Sequence, residues 1–192
     1  MTARIAPAQP PFAPEVQARL DQVMKGKPPL GLFTTLARDE RLFMKFFNAG
    51  LLDRGHLSLR QREIVIHRIT ALCGSEYEWG VHAAIFATHA GLDAAQLEAL
   101  TFGAAADARW TAEERCLVQL CDALHADCTI DDALWAALRS HFSEEAMLEL
   151  LMLAGFYRTV SYLTNALCLP LESDAARFAS AKLSAQAPGS PG

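Results

Sequence analysis

Three side chains in the sequence have the types and spacing for proton transfer: Glu63, Glu78 and His82. Glu78 and His82 are one helical turn apart, so a helix sets a carboxylate and an imidazole on one face. An imidazole exchanges its proton near neutral pH, and a carboxylate beside it orients the ring and favours the charged form. The plainer alternative is a satisfied buried pair that only fixes helix packing. The surrounding residues sharpen the question. Ser75, Glu78, His82 and His89 share a face with Trp79, Ile85 and Phe86, while Gly80, Ala84 and Ala87 leave the opposite face open to the close approach of another backbone. A helix that is apolar or small nearly all round is a buried one, and ionisable groups on it need partners.

The elements that must position these groups lie within Leu57–Leu92, read as two helices joined at Gly74-Ser75. Ser58 with Gln61 forms a capping box at the start of the first. Its apolar residues Val65, Ile66, Ile69, Leu72 and Cys73 recur at helical spacing, with Glu63 on the flank of that stripe. Glu63 has its own alternative, a surface carboxylate paired with His67. Upstream, a short helix over 15–24 stops at Gly26-Lys27-Pro28-Pro29, and 30–48 reads as helical. Downstream, Asp93 with Gln96 and Thr111 with Glu114 open two more helices. Asp131 or Asp132 opens another, and Ser143-Glu144-Glu145 begins a densely apolar run to Pro170, expected to bend near Gly155.

No stretch alternates like a strand, so the fold class is all-α, with roughly eight to ten helices. Ser58…Glu63…Ser75 is echoed by Ser143…Glu149…Ser161, which raises an internal helix-hairpin duplication. The expected organisation is a flexible arm over 1–14, a single all-helical domain over 15–172 and a partly disordered tail over 173–192.

Half the residues are hydrophobic (52%) and a fifth charged (20%), with a net charge of −5. That balance argues against nucleic acid or an anionic membrane as partner. No apolar run reaches membrane-spanning length, and the N-terminus lacks a secretory apolar core. The five cysteines contain no C-x-x-C and suit reduced thiols in a cytoplasmic protein.

L-x-x-R-E-x-x-I at 59–66, C-G-S-E-Y-E-W-x-x-H at 73–82 and A-x-x-A-G-L at 87–92 resemble the carboxymuconolactone decarboxylase family, which includes the alkylhydroperoxidase D-like proteins. P-P-L-G-L-F-x-T-L-A upstream and G-F-Y-R-x-V-S-x-L-x-N at 155–165 agree more loosely. The resemblance implies an all-α AhpD-like fold built on the central helix pair, and assembly as a homo-oligomer. The peroxidase branch of that family uses a Glu, a C-x-x-C pair and a His, and the matching positions are Glu63, Ser75, Glu78 and His82. The Glu and His are kept and both cysteines are lost. A thiol peroxidase needs an attacking and a resolving thiol, so the resemblance carries over the fold and the acid–base frame.

The expected activity is therefore non-redox acid–base catalysis on a small organic acid or lactone, of the decarboxylase kind. Glu63, Glu78 and His82 would be catalytic, and Ser75, Tyr77, Trp79 and Phe86 would line the binding site. The alternatives are a thiol peroxidase using a lone cysteine such as Cys73, and an oligomeric ligand-binding protein without catalysis. No H-x-x-x-H or E-x-x-H pattern supports a metal, and no cofactor is expected. Arg60, Arg62 or Arg68 is a candidate to hold an anion. His56, His67, His125 and His141 are expected at solvated positions, while His89 shares the site face. Ile64 and Ala71, opposite the main stripe, and the C-terminal apolar run are expected at an oligomer interface.

Overall fold

The computed structural model describes residues 3–178. Among them nine helices follow one another without a strand: α1 Pro14–Met24, α2 Gly31–Leu36, α3 Glu40–Ala49, α4 Leu59–Leu72, α5 Glu76–Ile85, α6 Ala94–Phe102, α7 Ala112–Asp127, α8 Asp132–Arg139 and α9 Glu144–Ala166. The start signals act as read. Ser58, Asp93 and Thr111 each close a full capping box with Gln61, Gln96 and Glu114. Each box satisfies two backbone N–H groups that a helix start leaves free.

The fold is organised around α4, which packs against α5, α6, α7 and α9. Every residue from Glu63 to Thr70 is buried, so the helix has no solvent face along its middle. Ile64, Val65 and Ile66 join Leu100 of α6, Leu117, Leu120 and Cys121 of α7, and Leu150 and Leu153 of α9 in one core. Arg68 is buried in this helix. It pairs with Asp122 at 2.7 Å and donates to the carbonyls of Leu100 and Gly103, so its charge ties α4 to α7 and caps the end of α6. A smaller cluster of Val16, Leu20 and Phe43 joins α1 to α3.

Four expectations are corrected. Residues 30–48 form two helices, because Asp39 caps a new one through Leu42 N–H. The C-terminal apolar run is one unbroken helix of 23 residues, so no second hairpin echoes α4 and α5; Gly155 lies on its exposed side and does not bend it. The helix carrying His82 ends at Ile85, with Phe86 as its cap. Ile64 is wholly buried, since α4 is enclosed on all sides, and it offers no interface.

The described segments outside the helices at either end are tied to the core. Residues 3–13 form no regular element, but Ala8 N–H donates to Thr34 C=O and Arg4 to the end of α9. After α9 the chain returns across α5 as a strap over 172–178. Ala176 N–H donates to Gly80 C=O at 3.1 Å, and a Cβ on Gly80 would lie 2.2 Å from the Ala176 carbonyl oxygen. The small face of α5 thus admits a backbone that any side chain would exclude. The expectation of disorder over 179–192 lies outside the described residues, as do residues 1–2.

A buried acid–base cluster between α4, α5 and α9

Glu63 and His82 meet across the α4–α5 pair. The Glu63 carboxylate, with no exposed surface, accepts from His82 Nδ1 at 3.0 and 3.2 Å. Glu78, one turn before His82 on α5, places a carboxylate oxygen 3.4 Å from Nε2. A fourth group comes from α9: the Tyr157 hydroxyl lies 3.1 Å from Nε2, with its ring perpendicular to the imidazole. Phe86 covers another side of the ring, with centroids 5.1 Å apart.

Burial disfavours the charged imidazole, but the Glu63 carboxylate and its hydrogen bond, followed by Glu78, outweigh it. The His82 pKa rises from 6.5 to about 9. The sequence suggested titration close to neutrality; two flanking carboxylates carry it further. At neutral pH His82 is therefore an imidazolium with both ring nitrogens donating. Nδ1–H is committed to the enclosed Glu63. Nε2–H faces Tyr157 and Glu78, whose side chain is 10% exposed. Tyr157 keeps its proton, because burial and then the charges of Glu78 and Glu63 push its pKa well above the usual value.

His67 corrects an expectation of solvation: it is fully buried, one turn along α4 from Glu63. Its Nδ1–H donates to the Glu63 carbonyl at 2.7 Å, with a Glu63 carboxylate oxygen 3.5 Å away. Burial dominates here and lowers its pKa to about 4, against the pull of Glu63 and with the push of His82. One carboxylate thus stands between a charged and a neutral imidazole.

The remaining sequence candidates divide. Trp79 is buried, its ring edge-on to His67 at 5.7 Å. Ser75 bonds Thr164 of α9 at 2.8 Å and locks the α5–α9 contact. Tyr77 turns toward α2, accepting from Leu32 N–H at 3.0 Å and donating to Glu172. The hydrogen bonds of the Ser75 and Tyr77 side chains thus go outside the imidazole cluster. His89 is exposed beyond the end of α5. Arg60 pairs with Glu114 and Arg68 with Asp122, both away from the cluster. Arg62 donates to the Asp53 carbonyl, keeps a buried Nε without a partner among the described residues, and is near enough to Tyr157 to lower its pKa. Tyr157 was visible only as part of the G-F-Y-R segment; nothing in its local spacing marks its hydroxyl. Among the described residues no group of three or more His, Cys, Asp or Glu is arranged to hold a metal ion.

The all-helical, AhpD-like architecture is also seen in solved structures. A peroxidase-related protein from Silicibacter sp. TM1040 superposes with a TM-score of 0.79 at 17% identity, over 92% of this chain and 95% of its own. The alkylhydroperoxidase AhpD core of a peroxidase-related protein from Ralstonia eutropha JMP134 gives 0.78 at 19% identity, over 89% and 93%. The debrominase Bmp8 in complex with 2,3,4-tribromopyrrole gives 0.76 at 15%, over 91% and 94%. No curated protein matches the chain by sequence. Residues 40–120, which hold α3 to the middle of α7 and both Glu63 and His82, match the carboxymuconolactone decarboxylase family. The resemblance read from the sequence is thereby shown over that segment.

Proposed function

We propose that the chain is a non-redox acid–base enzyme acting on a small organic acid or lactone, in the manner of a decarboxylase. The observation that supports it most is the buried His82 imidazole, held at Nδ1 by Glu63 and facing Tyr157 and Glu78 at Nε2. In this reading the substrate loses carbon dioxide, the electron pair of the broken C–C bond passes into its conjugated carbonyl, and His82 Nε2–H returns a proton to carbon. Tyr157 O–H donates to the developing oxyanion. Arg62, with its unpartnered Nε, holds the carboxylate before it leaves. Glu63 stabilises the imidazolium and Glu78 takes part in reprotonating Nε2.

The thiol alternative has less support. The positions that a C-x-x-C would fill are Ser75 and Glu78, and the cysteine hydrogen bonds go elsewhere, from Cys73 to His125 and from Cys121 to the Val65 carbonyl. Carbon dioxide release from carboxymuconolactone and from a panel of small lactone and oxo acids tests the proposal. The folded His82→Ala variant is expected to lose roughly 10²–10⁴-fold of that activity, the scale of a positioned acid–base group. Full turnover by that variant would refute the assignment.

The site further suggests a homo-oligomer. Leu148, Met152 and Tyr162 stand 58–64% exposed on the outer side of α9, an apolar stripe of the kind a second copy covers. Leu148→Glu with Met152→Glu is expected to lower the sedimenting mass to that of one chain; a wild type already monomeric would end this proposal. The free cysteines suit a reducing cytoplasm, and no helix among the described residues is long and apolar enough to cross a membrane.

A further inference from the structure

A file of rings leads from the acid–base cluster to the surface. His82, His67, Trp79, Phe178 and Phe102 follow one another at centroid distances of 6.3, 5.7, 5.1 and 6.4 Å. Two polar atoms in the middle of this file are buried without a partner among the described residues: His67 Nε2 and Trp79 Nε1. Their roles are complementary. His67 Nδ1 carries the proton that it donates to the Glu63 carbonyl, so Nε2 presents a bare lone pair, whereas the indole nitrogen is a donor only. Native interiors leave few such atoms unpaired.

The strap over 172–178 lies on this place. Phe178 stacks edge-on against Trp79. The strap is held by Glu172 to Gly31 N–H and Tyr77, by Ala176 to Gly80, and by Phe178 N–H to Glu76 at 2.9 Å. These are a few polar contacts, to α5 and to the start of α2.

We propose that His67 Nε2 and Trp79 Nε1 form a binding subsite for a neutral hydroxyl on a flat apolar body, uncovered when the 172–178 strap lifts from α5. A hydroxyl can both donate to an imidazole lone pair and accept from an indole N–H. A carboxylate would face the lone pair and the enclosed Glu63 charge, and a cation has nothing to offer the indole N–H. The aromatic walls accommodate a ring. The subsite stands apart from the proposed turnover, because it is read by binding alone.

The probes are phenol and its isostere toluene, titrated into the full chain with ¹⁵N-labelled indoles. Its three tryptophans give three N–H signals, of which Trp79→Phe identifies one. Phenol is expected to shift the Trp79 signal and toluene to leave it in place. Gly80→Ala, whose Cβ collides with the strap, is expected to bind phenol about tenfold more tightly, since a covered site reduces apparent affinity by its open fraction. Equal responses to phenol and toluene, or no Trp79 response to phenol in the wild-type chain, would overturn the proposal. The wild-type titration decides even if Gly80→Ala does not fold.

Discussion

Two places along α4 set an imidazole beside another reactive group, and they end in opposite states. At its middle, His82 meets Glu63 and Glu78 in full burial and gains a proton. At its C-terminal end, Cys73 lies in a surface cleft of about 480 Å³ with His125, Arg158, Ser161, Tyr162 and Asn165. There His125 Nδ1 is 3.8 Å from the sulfur. Yet burial raises the Cys73 pKa despite Ser161 and the Arg158 charge, and the nucleophilic form of a cysteine is the thiolate. Desolvation opposes ionisation in both places. It is overcome only where full opposite charges lie in direct hydrogen-bond contact, at Glu63–His82. Being next to a histidine does not activate a thiol; an assembled and enclosed counter-charge is needed.

The contrast breaks most severely at Glu63. Glu63→Ala leaves the His82 imidazolium buried without its main partner, and about 3–5 kcal/mol of stability is expected to be lost; chemical denaturation at pH 7 measures it. A loss below about 1 kcal/mol would mean that the pair is not a buried charge pair at all.

A second test sharpens the comparison by pH. His82 has a raised folded pKa, so its contribution is complete below 6.5 and is lost as pH rises through about 9. His67 has a lowered one, so its contribution is present above 6.5 and is lost as pH falls toward about 4. Stability profiles should therefore lose their alkaline limb in His82→Gln and their acid limb in His67→Gln. Unchanged limbs would contradict the assignment of charge to one ring and neutrality to the other. The smallest effect belongs to the cleft. Cys73→Ser is expected to change stability by less than about 1 kcal/mol and to leave activity intact. Thiol-dependent hydroperoxide turnover that disappears in this variant would restore the redox reading.

How much of this was legible in the sequence depends on whether a relation is local. Helix starts at Ser58, Asp93 and Thr111 were readable, because a capping box is complete within four residues. The pairing of Glu78 with His82 was readable for the same reason. The meeting of Glu63 with His82 crosses two helices and came from the family resemblance, not from spacing. Tyr157 enters from 75 positions away, and no local pattern announces which side of α9 faces α5. Periodicity gives α4 a polar flank at His67, whereas packing on all sides removes it. The expected break in α9 failed for a related reason. A glycine's helix penalty of about 1 kcal/mol is small beside the burial of Leu150, Leu153, Ala154, Tyr157 and Val160 along one continuous face.

The strap also bears on the order in which the molecule is completed. Glu172 accepts from Gly31 N–H across a separation of 141 residues and from Tyr77 across 95. Contacts this distant in the chain close late, since loop entropy must be spent before they are rewarded. During synthesis α2, α4 and α5 emerge well before residue 172, so the Trp79 side of α5 stays uncovered until the strap that shuts it has been made.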